Sequence, residues 1–538
     1  MKKIWNQINW SQVESKVYDL QSKIFQTSRK EQSFSMKIET RKLQKELVNL
    51  QESKLLSIRR VVDDNSNASI RLTDQQKIEL LSKLHLNGKS NLIQTSIKTT
   101  NFSKTTISII EDKIKQLLVL SALEPEWEAV FETNSYGGRP GYSIADVKWL
   151  ITRQIQGGPK FVLIVDLQKA LFETDNVYLL KKLNQSRMIS MQIKNWLKAG
   201  ILNNLHNDEI IRESSLNNLD VDILFYFLVN ISLHGLEHNI KADLNEKVKF
   251  IRYLNKFLIL GKDLENIKQA QLIVEKFLKQ IGLDLLKTQM SICHTLEKTE
   301  NYDSGFHFLG FFFRNIKCSI HRGVKSTRGV KQPFKQQCIP SKKSIEYHKI
   351  YIKNLLKKYK NASLKLIIYQ LNEKIREWTN YFSISQSTKT FSKLDGWLFK
   401  LLWKWSLKRY KSAKNAKKKC WSVSGWKFGF KIKNQTFVLI RHDQTRVHKH
   451  LKIQSNASIY DNQLVYFAKR IPLTNSRIKQ FSGLLKKQGY KCSNCNNLFK
   501  PTDTIKICNV VNKVFNTKTL TLLHNFCYTS DNRFPIAN

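Results

Sequence analysis

The sequence predicts an α+β protein built of several units, and three observations carry that expectation. Between residues 107 and 316, segments with apolar residues at helical spacing alternate with short apolar runs that read as strands. From 341 to 430 the chain turns helical, rich in Trp and very basic, with 22 Lys/Arg against 4 Asp/Glu. In the last 50 residues, four of the 8 cysteines gather near a histidine at short, paired spacings.

Apolar positions at Trp10, Val13, Val17, Leu20 and Ile24, and again at Leu43, Leu47, Leu50, Leu55 and Ile58, predict helices over residues 5–60. "RRVVDDNSNAS" breaks that pattern with a polar cluster. Within 66–105 only "TDQQKIELLSKL" reads as a helix, with Thr73 as its N-cap. Residues 107–131 are helical again, "NSYGGRPGYS" is a loop, and "KFVLIVDL" is a buried strand closing on Asp166. Helices are expected over 175–200 and 264–282, and strands over 223–231, 248–260 and 306–313. "IHRGVKSTRGVKQPFKQQCIP", with Pro333 and Pro340, reads as an irregular basic linker, and residues 431–470 alternate like short strands. At 538 residues the chain has room for three or four domains at about 150 residues each.

The charge balance narrows the partners. Ninety Lys+Arg against 43 Asp+Glu leave a net charge of +47, so self-repulsion favours a polyanion partner. Nucleic acid comes first and an anionic membrane surface second. A hydrophobic content of 41% suffices for real cores, and no run of 18 apolar residues predicts a membrane span. Cysteines at 293, 318, 338 and 420 are scattered singly, which fits a reducing compartment with one local metal site better than a disulfide framework. The N-terminus "MKKIWNQINWSQVESKVYDL" has no apolar signal core, and the Lys, Asn and Ile richness suggests AT-rich coding DNA of an organelle.

Taken in order, several segments resemble the group II intron-encoded reverse transcriptase/maturase family. "INWSQVESKVYDLQSKIF" and "SKLLSIRRVVDDN" are similar to its N-terminal extension. "SYGGRPGYS" resembles the loop that ends its fingers, "VLIVDLQKALF" its first palm strand, "RYLNKFLIL" its RYADDFVIL-type hairpin, and "FHFLGFFFR" the end of the palm. "LNEKIREWTNYF" with "FSKLDGWLFKLLWKWSLKRY" looks like the maturase segment, domain X. "QGYKCSNCNNLF" through "LLHNFCYTSD" looks like a C-terminal HNH endonuclease module. The resemblance implies right-hand, reverse-transcriptase-like fingers and palm, a helical thumb with domain X, and a small HNH-like zinc domain. The expected units are an N-terminal extension (1–95), fingers and palm (96–315), thumb and domain X (316–430), a strand-rich connector (431–480) and the zinc domain (481–538).

Polymerisation needs two divalent ions about 4 Å apart held by carboxylates. Of the family's three aspartates only Asp166 is present; the hairpin pair reads Asn255 and Lys256. Asp166 is expected to pair with Lys256 rather than hold a metal. Leu171-Phe172 replaces the usual end of the strand motif. Asp220, Val221 and Asp222, followed by Phe225-Tyr226, stand where the family carries a glycine-rich stretch that admits the template. Polymerase activity is therefore expected to be lost. Arg139 is expected to meet either a carboxylate or an RNA phosphate.

Domain X keeps its pattern. Trp378, Trp397, Trp403 and Trp405 recur at helical spacing and are expected in the core rather than stacked on bases. Arg376, Lys404, Lys408, Arg409, Lys411, Lys414 and Lys417, Lys418 and Lys419 are the expected RNA contacts, denser than solubility requires. At the C-terminus Cys492-x-x-Cys495 and His524-x-x-Cys527, with 28 residues between the pairs, have zinc-ligand spacing. The positions that carry nuclease chemistry in the resembled module read Cys508, Asn509, Thr519 and Tyr528, so the zinc is expected to be structural and cleavage lost. The resulting expectation is an intron maturase that binds group II or related intron RNA, with its own host intron as the partner. Magnesium would belong to that RNA. A plastid is the expected location, ahead of a mitochondrion or a bacterial cytoplasm, and a homodimer is left open. The alternatives are an active polymerase and endonuclease of a mobile intron, and a decaying basic reading frame.

Overall fold

The N-terminal apolar spacings form three helices, α1 (Trp10–Arg29), α2 (Phe34–Asn49) and α3 (Gln51–Val62). Their buried faces, among them Val17, Leu20 and Ile24 on α1 and Leu55 and Ile58 on α3, turn toward the long α5 (Phe102–Val130). Between them α4 (Asp74–Lys83) starts at the expected Thr73 cap, whose hydroxyl accepts from the Gln76 amide while Gln76 accepts from the Thr73 amide. The computed structural model describes residues 5–30, 34–62, 72–90, 102–167, 176–199, 223–283, 285–298, 304–319, 321, 329, 331, 333–423, 427–432, 435–474, 478, 481–512, 517–528 and 533–535. Leu171, Phe172, Asp220, Val221 and Asp222 lie outside them.

A five-stranded sheet forms the centre, in the order β1 (Ser135–Tyr136), β3 (Val248–Tyr253), β4 (Lys256–Gly261), β2 (Phe161–Asp166), β5 (Gln289–His294). Strand alternation splits its side chains between two cores. Leu163, Val165, Phe250, Phe257 and Ile259 join the core of α5, α9 (Ile223–Leu233) and α11 (Leu264–Gln280). Val162, Ile251, Leu258 and Leu260 face the other way, toward α6 (Ile144–Gln156) and a second sheet, β6 (Phe306–Phe308), β7 (Phe311–Lys317) and β8 (Phe334–Pro340).

Three expected elements are corrected. Residues 223–231 form helix α9 rather than a strand; a short apolar run buried on all sides has no period that separates the two. The end of the expected linker, 334–340, is strand β8, paired with β7 from Lys317↔Phe334 to Phe311↔Pro340, and Pro340 takes the strand end where it removes no needed donor. Of residues 431–470 only β9 (Gly429–Ile432) and β10 (Gln435–Val438) pair as strands; α16 (Leu464–Thr474) is helical. The stretch between is satisfied by side chains of distant elements instead of a ladder. Tyr18 donates to the Ile459 carbonyl and Ser22 to that of Tyr460, Tyr142 donates to that of Ala457, and Asp146 accepts from the Ile453 amide. The same buried Asp146 oxygen accepts from Arg470 and lies 2.9 Å from His450, so it joins α6 to the connector and to α16.

The basic helices are α12 (Lys342–Lys358), α13 (Leu364–Phe382), α14 (Thr388–Tyr410) and α15 (Ala413–Cys420). Ser341 and Ser363 cap the first two, and Ile352, Leu355, Ile367, Leu371, Ile375, Leu398 and Leu402 form their common core. A buried polar chain crosses this unit. His442 Nδ1 lies 2.7 Å from Asp395, its Nε2 lies 3.0 Å from His348 Nε2, and His348 stacks on Trp378 at 4.7 Å. Burial, with His442 beside it, pushes the His348 imidazole down to about 3. Its folded value thus lies below the unfolded one near 6.5, so this stability is present above pH 6.5 and is lost as pH falls from there toward 3. Thermal unfolding followed between pH 7 and 5 is expected to show a decline of about 1.4 kcal/mol per pH unit at the steepest. His348→Gln, which does not titrate, flattens it.

Candidate nucleic-acid interface and metal centre

At the hairpin the β3–β4 turn is Leu254-Asn255, with Tyr253 paired to Lys256. The β2–β4 register places Lys256 directly across from Asp166, and the expected ion pair forms, Nζ to Oδ2 at 3.3 Å. The Asn255 carbonyl accepts from the Leu167 amide, tying the turn to the strand end. Leu254 sits in the left-handed region at φ 53°, which costs a branched residue roughly 1–3 kcal/mol. Its amide donates to the Tyr136 carbonyl, and a Cβ on Gly137 would stand 2.8 Å from its Cγ. The glycine loop is therefore packed onto the turn. Among the described residues no set of three or more metal-capable side chains gathers here. An ammonium beside the single carboxylate repels a divalent ion.

Of its two expected partners, Arg139 meets the carboxylate. It is buried, grips Glu128 with Nε at 2.9 Å and Nη2 at 3.0 Å, donates to the Ser135 carbonyl, and lies over the Tyr142 ring. A guanidinium desolvated in this way takes its paired carboxylate rather than an RNA phosphate. Gly141 in the same loop has the Phe467 ring 2.3 Å from where a Cβ would be, so the turn also seats α16.

The four tryptophans are half-buried and packed against buried side chains: Trp403 meets Trp421, Trp405 meets Phe428, and Trp378 meets Phe382 and Phe391. Their position agrees with core packing. Lys404 and Lys408 are exposed on α14; Lys411, Lys414, Lys417, Lys418 and Lys419 are exposed around and along α15. Arg409 departs from them. It is half-buried, donates to the carbonyls of Lys360 and Ala362, and stacks on Trp405, so it closes the α12–α13 loop. Arg376 is half-buried on α13. Glu377 pairs with Lys374 and Asp395 with His442. Exposed lysines thus line the C-terminal half of α14 and the length of α15.

Cys492, Cys495, His524 and Cys527 converge, with their ligand atoms all within 4.8 Å of one another. Cys492 and Cys495 flank a tight turn in which the Cys492 amide donates to Asn497 and the Asn494 amide approaches the Cys492 sulfur at 3.5 Å. His524 ends β12 (Thr517–His524), and Cys527 follows in a single turn. Asp503 Oδ2 lies 3.1 Å from His524 Nε2, which leaves Nδ1 facing the thiols, 3.3 Å from Cys495 Sγ. Burial alone would lower the imidazole, but Asp503 and the thiols push it up to about 12, while hydrogen bonds from Cys495 and Cys527 pull the Cys492 thiol down. Three sulfurs, one oriented imidazole and a carboxylate behind it are a donor set that would suit a zinc ion.

Cys508, Asn509 and Thr519 fall on the adjoining hairpin of β12 and β11 (Ile505–Asn512), and Tyr528 lies just beyond it. Cys508 is buried on β11 opposite Thr521, Asn509 follows it, Thr519 lies on β12, and Tyr528 is half-buried under Lys506. The side chains of Asn509 and Thr519 are outside the described residues. Asp503 and Arg59, both at the metal centre, are the site residues that sequence reading missed. An acid between two ligand pairs is a signal for Asp503, whereas nothing local points to Arg59.

Residues 345–421 match the group II intron maturase-specific domain, and residues 5–84 match the N-terminal domain of reverse transcriptase. The chain is 25% identical over 328 residues to maturase-like protein 1 of Euglena longa, covering 57% of this chain and 66% of that one. It is 27% identical over 293 residues to maturase-like protein 1 of Euglena gracilis, covering 51% and 58%. It thus spans somewhat less than two thirds of each relative. A telomerase from Candida albicans, in complex with a TWJ fragment of telomeric RNA, aligns over 57% of each chain at 14% identity and a TM-score of 0.25, a slight likeness. The resemblance to group II intron-encoded proteins is borne out in the two matched segments. Native mass spectrometry of the purified chain is expected to show one divalent ion per molecule, lost on Cys495→Ser. A metal-free chain in the presence of excess zinc would contradict the geometry.

Proposed function

We propose that the chain is an intron maturase: it binds a group II or related intron RNA and assists its splicing, while the RNA and its magnesium ions perform the reaction. The observation that carries this reading is the exposed lysine region of α14 and α15, inside the segment that matches the maturase-specific domain. Lysines neutralise phosphates, and the tryptophans behind them hold the helices that present the charge. The partner in this reading is the transcript of its own host intron. The maturase-like relatives from Euglena favour an organelle, a plastid first. No helix among the described residues is long and apolar enough to cross a membrane.

Polymerase activity is absent in this reading, because the position that would hold the metals is an Asp166–Lys256 ion pair. The C-terminal Cys3His hairpin acts as a zinc-stapled, HNH-like knob without cleavage chemistry, since neither a buried thiol at Cys508 nor a phenol at Tyr528 supplies the missing histidines. An active mobile-intron polymerase would need Lys256 displaced from Asp166. A decaying reading frame would have no reason to retain all four metal ligands in contact.

Removing the gene product is expected to leave the host intron unspliced in the transcript, and normal splicing without it would overturn the proposal. In vitro, replacing Lys414, Lys417, Lys418 and Lys419 by Ala is expected to weaken intron binding roughly tenfold or more and to lower the slope of log K against log salt by about three. An unchanged slope would place the RNA elsewhere.

A further inference from the structure

The metal centre is not confined to the C-terminal hairpin. Arg59, on α3 near the other end of the chain, has a side chain only 5% exposed and directs a guanidinium nitrogen to Cys527 Sγ at 4.0 Å. That guanidinium lies between two rings, 4.0 Å from the centroid of Trp10 and 3.3 Å from that of Phe526. Phe526 in turn stacks on the ligand His524, at 4.8 Å and 14° between planes. An unbroken stack therefore runs from helix α1 through Arg59 to a metal ligand. Polar contacts flank it: Ser11 donates to Asn497 at 2.7 Å, Asn497 donates to Glu14 at 3.1 Å, and Lys500 and Arg59 lie 3.7 and 3.4 Å from Glu14.

Charge gives this stack its direction. Three cysteine sulfurs and an imidazole around a divalent ion would carry one net negative charge. Arg59 is a buried cation aimed at one of those sulfurs, placed to offset that charge. Loading the site thus strengthens the contact between the cysteine knob and the N-terminal helices, and that contact in turn strengthens loading.

We propose that Arg59 is the outer-sphere partner of the Cys3His metal, so that metal uptake and docking of the C-terminal knob onto α1 and α3 are one linked equilibrium. The proposal rests on the reading that these four ligands hold zinc. Linkage requires the two effects to be equal in free energy. The knob then serves as a clasp that joins the ends of the chain into one body.

The test uses the full chain with zinc and a chromophoric chelator. Arg59→Ala is expected to weaken zinc binding about 10- to 100-fold, the usual effect of removing an outer-shell partner, and Arg59→Lys by less. In the wild-type chain, zinc is expected to slow hydrogen exchange in α3 and in the first turns of α1, and chelation to reverse this. That arm requires no variant to fold. Zinc binding in wild type with no change in α1 or α3 exchange overturns the linkage. So does an Arg59→Ala chain with native circular dichroism and wild-type zinc affinity. A wild-type chain that takes up no zinc overturns the metal reading itself, and the proposal with it.

Discussion

The ion pair between Asp166 and Lys256 fixes what the end of the central sheet can hold. The β2–β4 register brings the two residues to the same level at the end of the central sheet, where a polymerase would need carboxylates converging on cations. With a lysine there, the protein supplies the positive charge itself. The hairpin keeps its strand-forming residues, Phe257 to Leu260, fully inside the two cores, so the sheet does not depend on what its turn carries. The strained Leu254 persists because the Tyr136 carbonyl and the glycine loop hold it from the other side.

The same logic extends to the basic units. Buried charges meet polar partners inside: Arg139 meets Glu128, Asp146 meets Arg470, Ser143 and His450, and Arg252 meets the neutral Asn230 and Ser135. Breaking one partner of such a pair would leave an uncompensated buried charge, at a cost of about 3–5 kcal/mol. The exposed charge is left largely unmatched, with 90 basic residues against 43 acidic ones. A fold that gives its interior charges polar partners and leaves its lysines outward is suited to a polyanion, and the lysines of α14 and α15 concentrate that surplus on one helical unit.

Much of this was legible in the sequence, for identifiable reasons. Helices with one apolar face, the buried β2 strand and the Thr73 cap are local patterns, and they appear where expected. The Asp166–Lys256 pair and the convergence of Cys492, Cys495, His524 and Cys527 were likewise readable from residue type and spacing. The errors share a cause, dependence on partners far along the chain. Residues 223–231 have no period because they are buried all round. The stretch before α16 is ordered by Tyr18, Ser22, Tyr142 and Asp146 rather than by its own pattern. Arg59 lies 468 residues from the sulfur it approaches.

In the function proposed above, the chain keeps an RNA-binding body of the polymerase kind without polymerase chemistry. Primer extension by the purified chain on an annealed RNA template, with Mg²⁺ or Mn²⁺, tests it most directly. The account predicts no extension under conditions in which the same preparation binds intron RNA. Robust extension that Asp166→Ala abolishes would contradict it, because Asp166 would then be holding a metal rather than Lys256.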